Sequence, residues 1–286
     1  MPADVAPTTE RVGAFLELTR LGNAVAASVL TFTGSFVAGG LAVRPVAVVA
    51  AVVATAAATG AGNAINDYFD RDIDRINRPE RPIPSGAVSP RETLVFSLVL
   101  FGVAVVAAVS LPSLALGIAV VNLLALVAYT ELFKGLPGVG NVVVAYLTGS
   151  TFLFGAAAVG DVLGAAVLAA LAALATFTRE VVKDVEDVAG DREEGLRTLP
   201  IVIGSRPALW VGVATMVVAV AASVVPFLGE FGIAYLVAVV PADVALLYAT
   251  RQSFSDPAGA QRLLKRGMFV AAAAFVVGRA AVVYGV

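Results

Sequence analysis

Two runs of aspartate carry the chemistry open to this sequence. In NAINDYFDRDIDRINRPERPIPSG, residues 63–86, Asp67, Asp70 and Asp74 are spaced three and then four apart. In REVVKDVEDVAGDREEGLRTLP, residues 179–200, Asp184, Asp187 and Asp191 repeat that spacing, 117 positions after the first set. On a helix, residues three and four apart share a face, and Asn66 borders the first face. Six carboxylates turned into one cavity repel one another and raise one another's pKa values. Divalent cations between them remove the conflict. The chain has no His and no Cys, which leaves oxygen donors and a hard cation, Mg2+. Mg2+ takes one or two protein carboxylates and completes its shell with water and phosphate oxygens. Two facing aspartate clusters therefore suit a diphosphate bridged by Mg2+, with Arg and Lys neutralising the rest of its charge. The clusters stand at the C-terminal ends of apolar segments, where the helix dipole disfavours acids. Stability does not place them there.

The elements that hold these residues are apolar. Of 286 residues, 59% are hydrophobic and 14% charged, against about 25% charged in soluble domains. The net charge of −2 gives no reason to expect a nucleic-acid partner. Nine apolar segments, at 13–39, 45–66, 93–112, 114–130, 139–160, 161–180, 207–226, 231–250 and 267–285, each approach the ~20 residues of a membrane-spanning helix. Abundant Gly and Ala suit close helix contact in lipid. Ser89-Pro90-Arg91-Glu92 predicts a capping box opening the third segment, and Ser205 with Pro207 predicts a similar start for the seventh. The N-terminus, Met1-Pro2-Ala3-Asp4, does not read as a cleaved signal peptide.

Basic residues cluster in alternate links: Arg71, Arg75, Arg78, Arg81 and Arg91; Lys134; Lys183, Arg192, Arg197 and Arg206; and Arg251, Arg262, Lys265 and Arg266. The other links hold only Arg44. Basic links stay cytoplasmic, which puts the N-terminus and both aspartate motifs on that side and the C-terminus outside. The expected fold is an all-α polytopic membrane bundle of nine transmembrane helices. It forms one domain over residues 1–286 and is built on a duplicated four-helix unit. Asp243 and Arg279, inside the last two segments, are expected to form a structural pair, unless Arg279 reaches out to the interface.

NDYFDRDID fits the pattern N-D-x-x-D-x-x-x-D and DVEDVAGD fits D-x-x-D-x-x-x-D. With both in place the chain resembles, over essentially its whole length, the UbiA superfamily of intramembrane prenyltransferases. The resemblance implies a polyprenyl diphosphate donor held through Mg2+ between the motifs, loss of diphosphate to leave an allylic cation, and attack on C1 by a lipid-soluble acceptor. It implies Asp67, Asp70, Asp74, Asp184, Asp187 and Asp191 as catalytic, with Asn66, Asp70, Asp74, Asp187 and Asp191 on the metal. Arg71 and Lys183 become diphosphate contacts. Tyr129 and Lys134 in YTELFK, and Arg20 and Asn23 in RLGN, match further substrate-binding positions. The two motif stretches are most similar to an archaeal branch. Its reaction would be geranylgeranyl transfer from geranylgeranyl diphosphate to the glycerol hydroxyl of geranylgeranylglyceryl phosphate, in membrane ether-lipid synthesis. Arg75, Arg78 and Arg81 would then supply cations to the acceptor phosphate. A quinone-ring precursor or a chlorin is the alternative acceptor. A divalent-cation transporter is the alternative of another class, and acids at helix ends rather than at the midplane weigh against it.

Overall fold

The computed structural model describes residues 8–133, 135–229 and 231–285, and among these the only regular elements are helices. In chain order they are α1 (Thr8–Leu18), α2 (Leu21–Val37), α3 (Gly40–Val43), α4 (Pro45–Phe69), α5 (Arg71–Asn77), α6 (Pro90–Val109), α7 (Ser113–Ala128), α8 (Val139–Ala158), α9 (Ala166–Glu186), α10 (Val188–Glu193), α11 (Leu199–Ile203), α12 (Ser205–Ala222), α13 (Val225–Leu228), α14 (Ile233–Gln252) and α15 (Pro257–Tyr284). A π-turn, Tyr129–Phe133, follows α7.

Each of the nine apolar segments contains a helix. Among the described residues seven are long and apolar enough to cross a membrane. The other two, α2 and α7, have 17 and 16 residues. At ~1.5 Å per residue they reach about 25 Å, a few ångströms short of the hydrocarbon core. Large apolar side chains such as Val46, Val106, Leu124 and Val237 are exposed, as on a lipid-facing surface, while the buried clusters are rich in alanine.

Three expectations need correction. The first segment, read as one span over 13–39, breaks at Arg20, which stands at φ 46°, ψ 63° between α1 and α2. The ninth begins ten residues early, at Pro257, because the Asp256 side chain caps it by accepting from the Gly259 N–H at 2.9 Å. Arg262, Lys265 and Arg266 are therefore helical. Ser205 is the first residue of α12 rather than its cap; Gly204, at φ 92°, precedes it. The predicted box at α6 is present: Glu92 N–H donates to Ser89 Oγ and Ser89 N–H to Glu92 Oε2, and Arg11 of α1 pairs with Glu92.

The helices meet through small residues and short hydroxyl contacts. Thr31 Oγ1 meets Thr55 Oγ1 at 2.8 Å and the Asn63 amide donates to the Thr19 carbonyl at 2.9 Å, so α2 and α4 run antiparallel. Ser35 Oγ donates to the Gly155 carbonyl at 2.8 Å and Gly40 packs on Val159, so α2 and α8 run parallel. Gly149 against Ala169 and Asn141 against Asp184 make α8 and α9 antiparallel. It follows that α4 and α9 point the same way, and both aspartate motifs reach the same end of the bundle.

The seam between α2 and α8 admits no side chain at two points. A Cβ on Gly34 would strike the Phe152 carbonyl, and one on Gly155 would strike that of Thr31. Gly34→Ala or Gly155→Ala is expected to destabilise the fold by about 3 kcal/mol, read as thermal unfolding in detergent. Gly102→Ala, with open space around it, is the matched control and should not lower stability.

Candidate functional site

The two motifs share one local construction. α4 ends at Phe69, Asp70 takes the junction at φ −82°, ψ 0°, and α5 carries Asp74. α9 ends at Glu186, Asp187 takes the junction at φ −90°, ψ 2°, and α10 carries Asp191. The bonding through the break also repeats. Asp70 N–H donates to Asn66 O and Asp74 N–H to Asp70 O, while Asp187 N–H donates to Lys183 O and Asp191 N–H to Asp187 O. This matches the duplication read from the spacing. It also corrects the expectation of one uninterrupted helix: the middle aspartate of each set sits at a break and is exposed, apart from its neighbours.

In the first cluster Asp67 and Asp74 are buried, at 5% and 6% exposure. Arg81 bridges them, Nη1 lying 2.6 Å from Asp74 Oδ2 and 3.3 Å from Asp67 Oδ1. Arg20 Nη2 lies 2.8 Å from Asp67 Oδ1. Burial alone would lower the Arg81 pKa; the hydrogen bond to Asp74 and the charges of Asp67, Asp74 and Asp70 outweigh it and raise it. Arg81 reaches this position because the RPIPSG loop folds inward. Val88 N–H donates to Pro82 O, Gly86 takes φ 81°, and Ile83 and Val88 are buried with Ala14, Leu18 and Ala64. The left-handed turn at Arg20 has the same origin, since Asp67 takes its guanidinium and Asn63 the Thr19 carbonyl freed by the turn. Arg71 lies over the Tyr68 ring, 4.8 Å from its centroid, and donates to the Tyr68 carbonyl. Asn23 and Asn66 are exposed.

In the second cluster the Asn141 amide donates to Asp184 Oδ2 at 2.8 Å and Thr198 Oγ1 to Asp191 Oδ2 at 3.1 Å. Glu180, buried, lies 2.7 Å from Arg179 and 4.0 Å from Lys183. The Tyr129 hydroxyl feels the charges of Lys183, Glu180, Asp184 and Asp191, so the turn after α7 lies beside this cluster. Lys134 lies outside the described residues.

Sequence reasoning missed Asn141 and Thr198, and gave Arg81 to an acceptor rather than to Asp67 and Asp74. Arg81 had a signal, being an arginine bracketed by prolines seven residues after Asp74. Asn141 offered only an amide in the first turn of an apolar helix.

Among the described residues no three acidic side chains gather around one point, and no hydrogen bond or ion pair joins the two clusters. The exposed donors Asn66, Asp70 and Asp187 make no side-chain hydrogen bond or ion pair among the described residues. All are hard oxygen donors. This set fits Mg2+, which needs few protein ligands when a phosphate supplies the others.

Comparison with known proteins identifies the family. The profile of the UbiA prenyltransferase family matches residues 27–273. The chain is 65% identical over 276 residues to the digeranylgeranylglyceryl phosphate synthase of Natronomonas pharaonis, covering 96% of this chain and 99% of that one. It is 64% identical over 274 residues to the enzyme of the same name from Haloquadratum walsbyi, covering 95% and 96%. A solved digeranylgeranylglyceryl phosphate synthase superposes with a TM-score of 0.81 at 34% identity, over 94% of this chain and 99% of that one. A UbiA homologue from Archaeoglobus fulgidus, solved with GPP and Mg2+, shares the fold at a TM-score of 0.64 and 18% identity, over 95% and 99% of the two chains. The chain is an integral membrane protein and belongs to the UbiA prenyltransferase family.

Proposed function

We propose that this protein transfers a geranylgeranyl group from geranylgeranyl diphosphate to the glycerol hydroxyl of geranylgeranylglyceryl phosphate, making an archaeal ether lipid. The observation that carries the reading is the matched pair of helix breaks at Asp70 and Asp187, each presenting at the same end of the bundle a carboxylate unpaired among the described residues. The choice of donor and acceptor rests on the synthases to which the chain is similar over nearly its full length.

Asn66, Asp70, Asp74, Asp187 and Asp191 would hold Mg2+, which when bound neutralises charge developing on the departing diphosphate. Arg71 and Lys183 sit beside the motifs as diphosphate contacts, with Arg71 turning from the Tyr68 ring to reach it. Arg20 and Arg81 hold Asp67 and Asp74 in place. Asn141 and Thr198 do the same for Asp184 and Asp191. In the reaction the donor C1–O bond breaks, its electron pair leaves with diphosphate, and the acceptor oxygen bonds to C1 and loses its proton. The apolar bundle keeps water from the allylic cation. The basic links put this end of the bundle, and the N-terminus, on the cytoplasmic side.

The test is prenyl transfer in membranes containing the protein, with labelled geranylgeranyl diphosphate, Mg2+ and either geranylgeranylglyceryl phosphate or 4-hydroxybenzoate. Ether-lipid product that requires Mg2+ is expected. Product with the aromatic acid alone would keep the donor chemistry and refute the acceptor. Asn141→Leu, which removes the bond to Asp184, is expected to slow transfer at least tenfold without changing which acceptor is used; an unchanged rate would deny Asn141 its orienting role.

A further inference from the structure

A cavity of about 260 Å³ lies among α2, α8, α9, α12, α14 and α15. Its walls are mostly apolar, but polar groups stand at particular places. On the α9 wall Thr176 and Arg179 are three residues apart and share a face. Thr176 is 2% exposed, and its hydroxyl has no hydrogen-bond partner. Arg179 Nε is likewise buried without a partner, although Nη1 reaches Glu180 at 2.7 Å. On the α15 wall stands Lys265, which makes no ion pair among the described residues. The Gln261 amide donates to Glu186 at 3.2 Å and fixes the register of α15 on α9. Arg179 is seven residues from Glu186 and Lys265 four from Gln261, so the two cations differ in depth by about one helical turn at ~1.5 Å per residue.

A buried hydroxyl and a buried guanidinium Nε–H left without acceptors in an apolar membrane cavity are costly and mark a binding site. The missing acceptors are oxygens of an anion, and the apolar walls call for an anion on a hydrocarbon chain. The α14 wall, packed beside α15, carries Asp243, which among the described residues accepts from Ser223 Oγ at 2.6 Å rather than pairing with Arg279. Its carboxyl disfavours an anion beside it.

We infer that Thr176, Arg179 and Lys265 bind the phosphate monoester of the acceptor lipid, apart from the aspartate motifs that take the donor diphosphate. The inference rests on the proposed reaction. That reaction must hold two phosphate-bearing lipids close together, and their mutual repulsion requires a second set of cations. Of the three arginines expected to provide them, Arg75 is paired with Asp72 and Arg81 with Asp67 and Asp74, and the exposed Arg78 does not line this cavity.

The test compares two acceptors, geranylgeranylglyceryl phosphate and its alcohol geranylgeranylglycerol, in membranes containing the full chain. Wild-type protein is expected to prefer the phosphate. Lys265→Gln, a change at an exposed side chain, is expected to raise KM for the phosphate acceptor roughly tenfold. KM for the alcohol and for the donor should stay within about twofold. Thr176→Val, nearly the same shape, is expected to move the same ratio in the same direction, and Lys265→Arg to restore it. Equal losses with both acceptors, an unchanged ratio, or a rise in donor KM would overturn the inference while leaving the proposed reaction intact. A wild-type protein that makes no ether lipid at all would instead overturn the reaction, and the inference with it.

Discussion

Asp70→Ala and Asp187→Ala are each expected to reduce prenyl transfer by roughly 10²–10³-fold while leaving the thermal unfolding of the detergent-solubilised protein essentially unchanged. Both carboxylates are exposed, and neither makes a side-chain hydrogen bond or ion pair among the described residues. Such substitutions ordinarily change stability by less than about 0.5 kcal/mol. Activity and stability should therefore separate cleanly at these two positions. The assay is single-turnover transfer at saturating donor, repeated across a Mg2+ titration, because removing a metal ligand should also shift the Mg2+ dependence to higher concentration. A variant that loses activity only in proportion to lost folded protein would make the residue structural. A variant with full activity would remove its half of the proposed clamp.

Arg81 is expected to show the reverse balance. It is 16% exposed and serves two carboxylates that are themselves 7% and 9% exposed as side chains. Arg81→Met leaves both acids buried; Arg20 still compensates Asp67, but Asp74 has no other ion pair among the described residues. Breaking a buried pair from one side costs about 3–5 kcal/mol, so Arg81→Met should unfold at distinctly lower temperature. Adding Asp74→Asn removes the stranded charge and should recover a good part of the loss, as a coupled pair requires. Activity should not recover with it, since Asp74 belongs to the proposed metal-binding set. If Arg81→Met alone is as stable as wild type, the bridge contributes nothing to the fold. If the double variant regains activity together with stability, Asp74 has no part in the chemistry.

The spacing of Asp67, Asp70 and Asp74, repeated at Asp184, Asp187 and Asp191, made the site legible because helix periodicity is a local property. It pointed to the residues proposed to act together and to the repeated local construction. It did not reveal the breaks at Asp70 and Asp187, because nothing in the intrinsic preferences of YFDRDI or VEDVAG marks the junction residue. The turn at Arg20 was hidden for a different reason. An arginine enters the left-handed region only when a partner repays the strain, and its partner, Asp67, is 47 residues away. Asn141 and Asp184 are 43 apart, and that pairing exists only once α8 and α9 have packed. The apolar segments were readable by composition. The early start of α15 was not, because Arg262, Lys265 and Arg266 look like a loop until Asp256 is seen capping the helix beneath them.

The two aspartate motifs are not bonded to each other, and each rides at the tip of its own helical hairpin, α2–α4 and α8–α9. The hairpins are joined far from those tips, where Gly34 and Gly155 let backbone touch backbone. They behave as the arms of a calliper whose jaw opening is set at the pivot. A methyl group added at the pivot has no room unless the two arms move apart, which is why Gly34→Ala and Gly155→Ala are expected to destabilise the fold. The spacing between the two arms is thus held by two glycines that lie far from either aspartate motif.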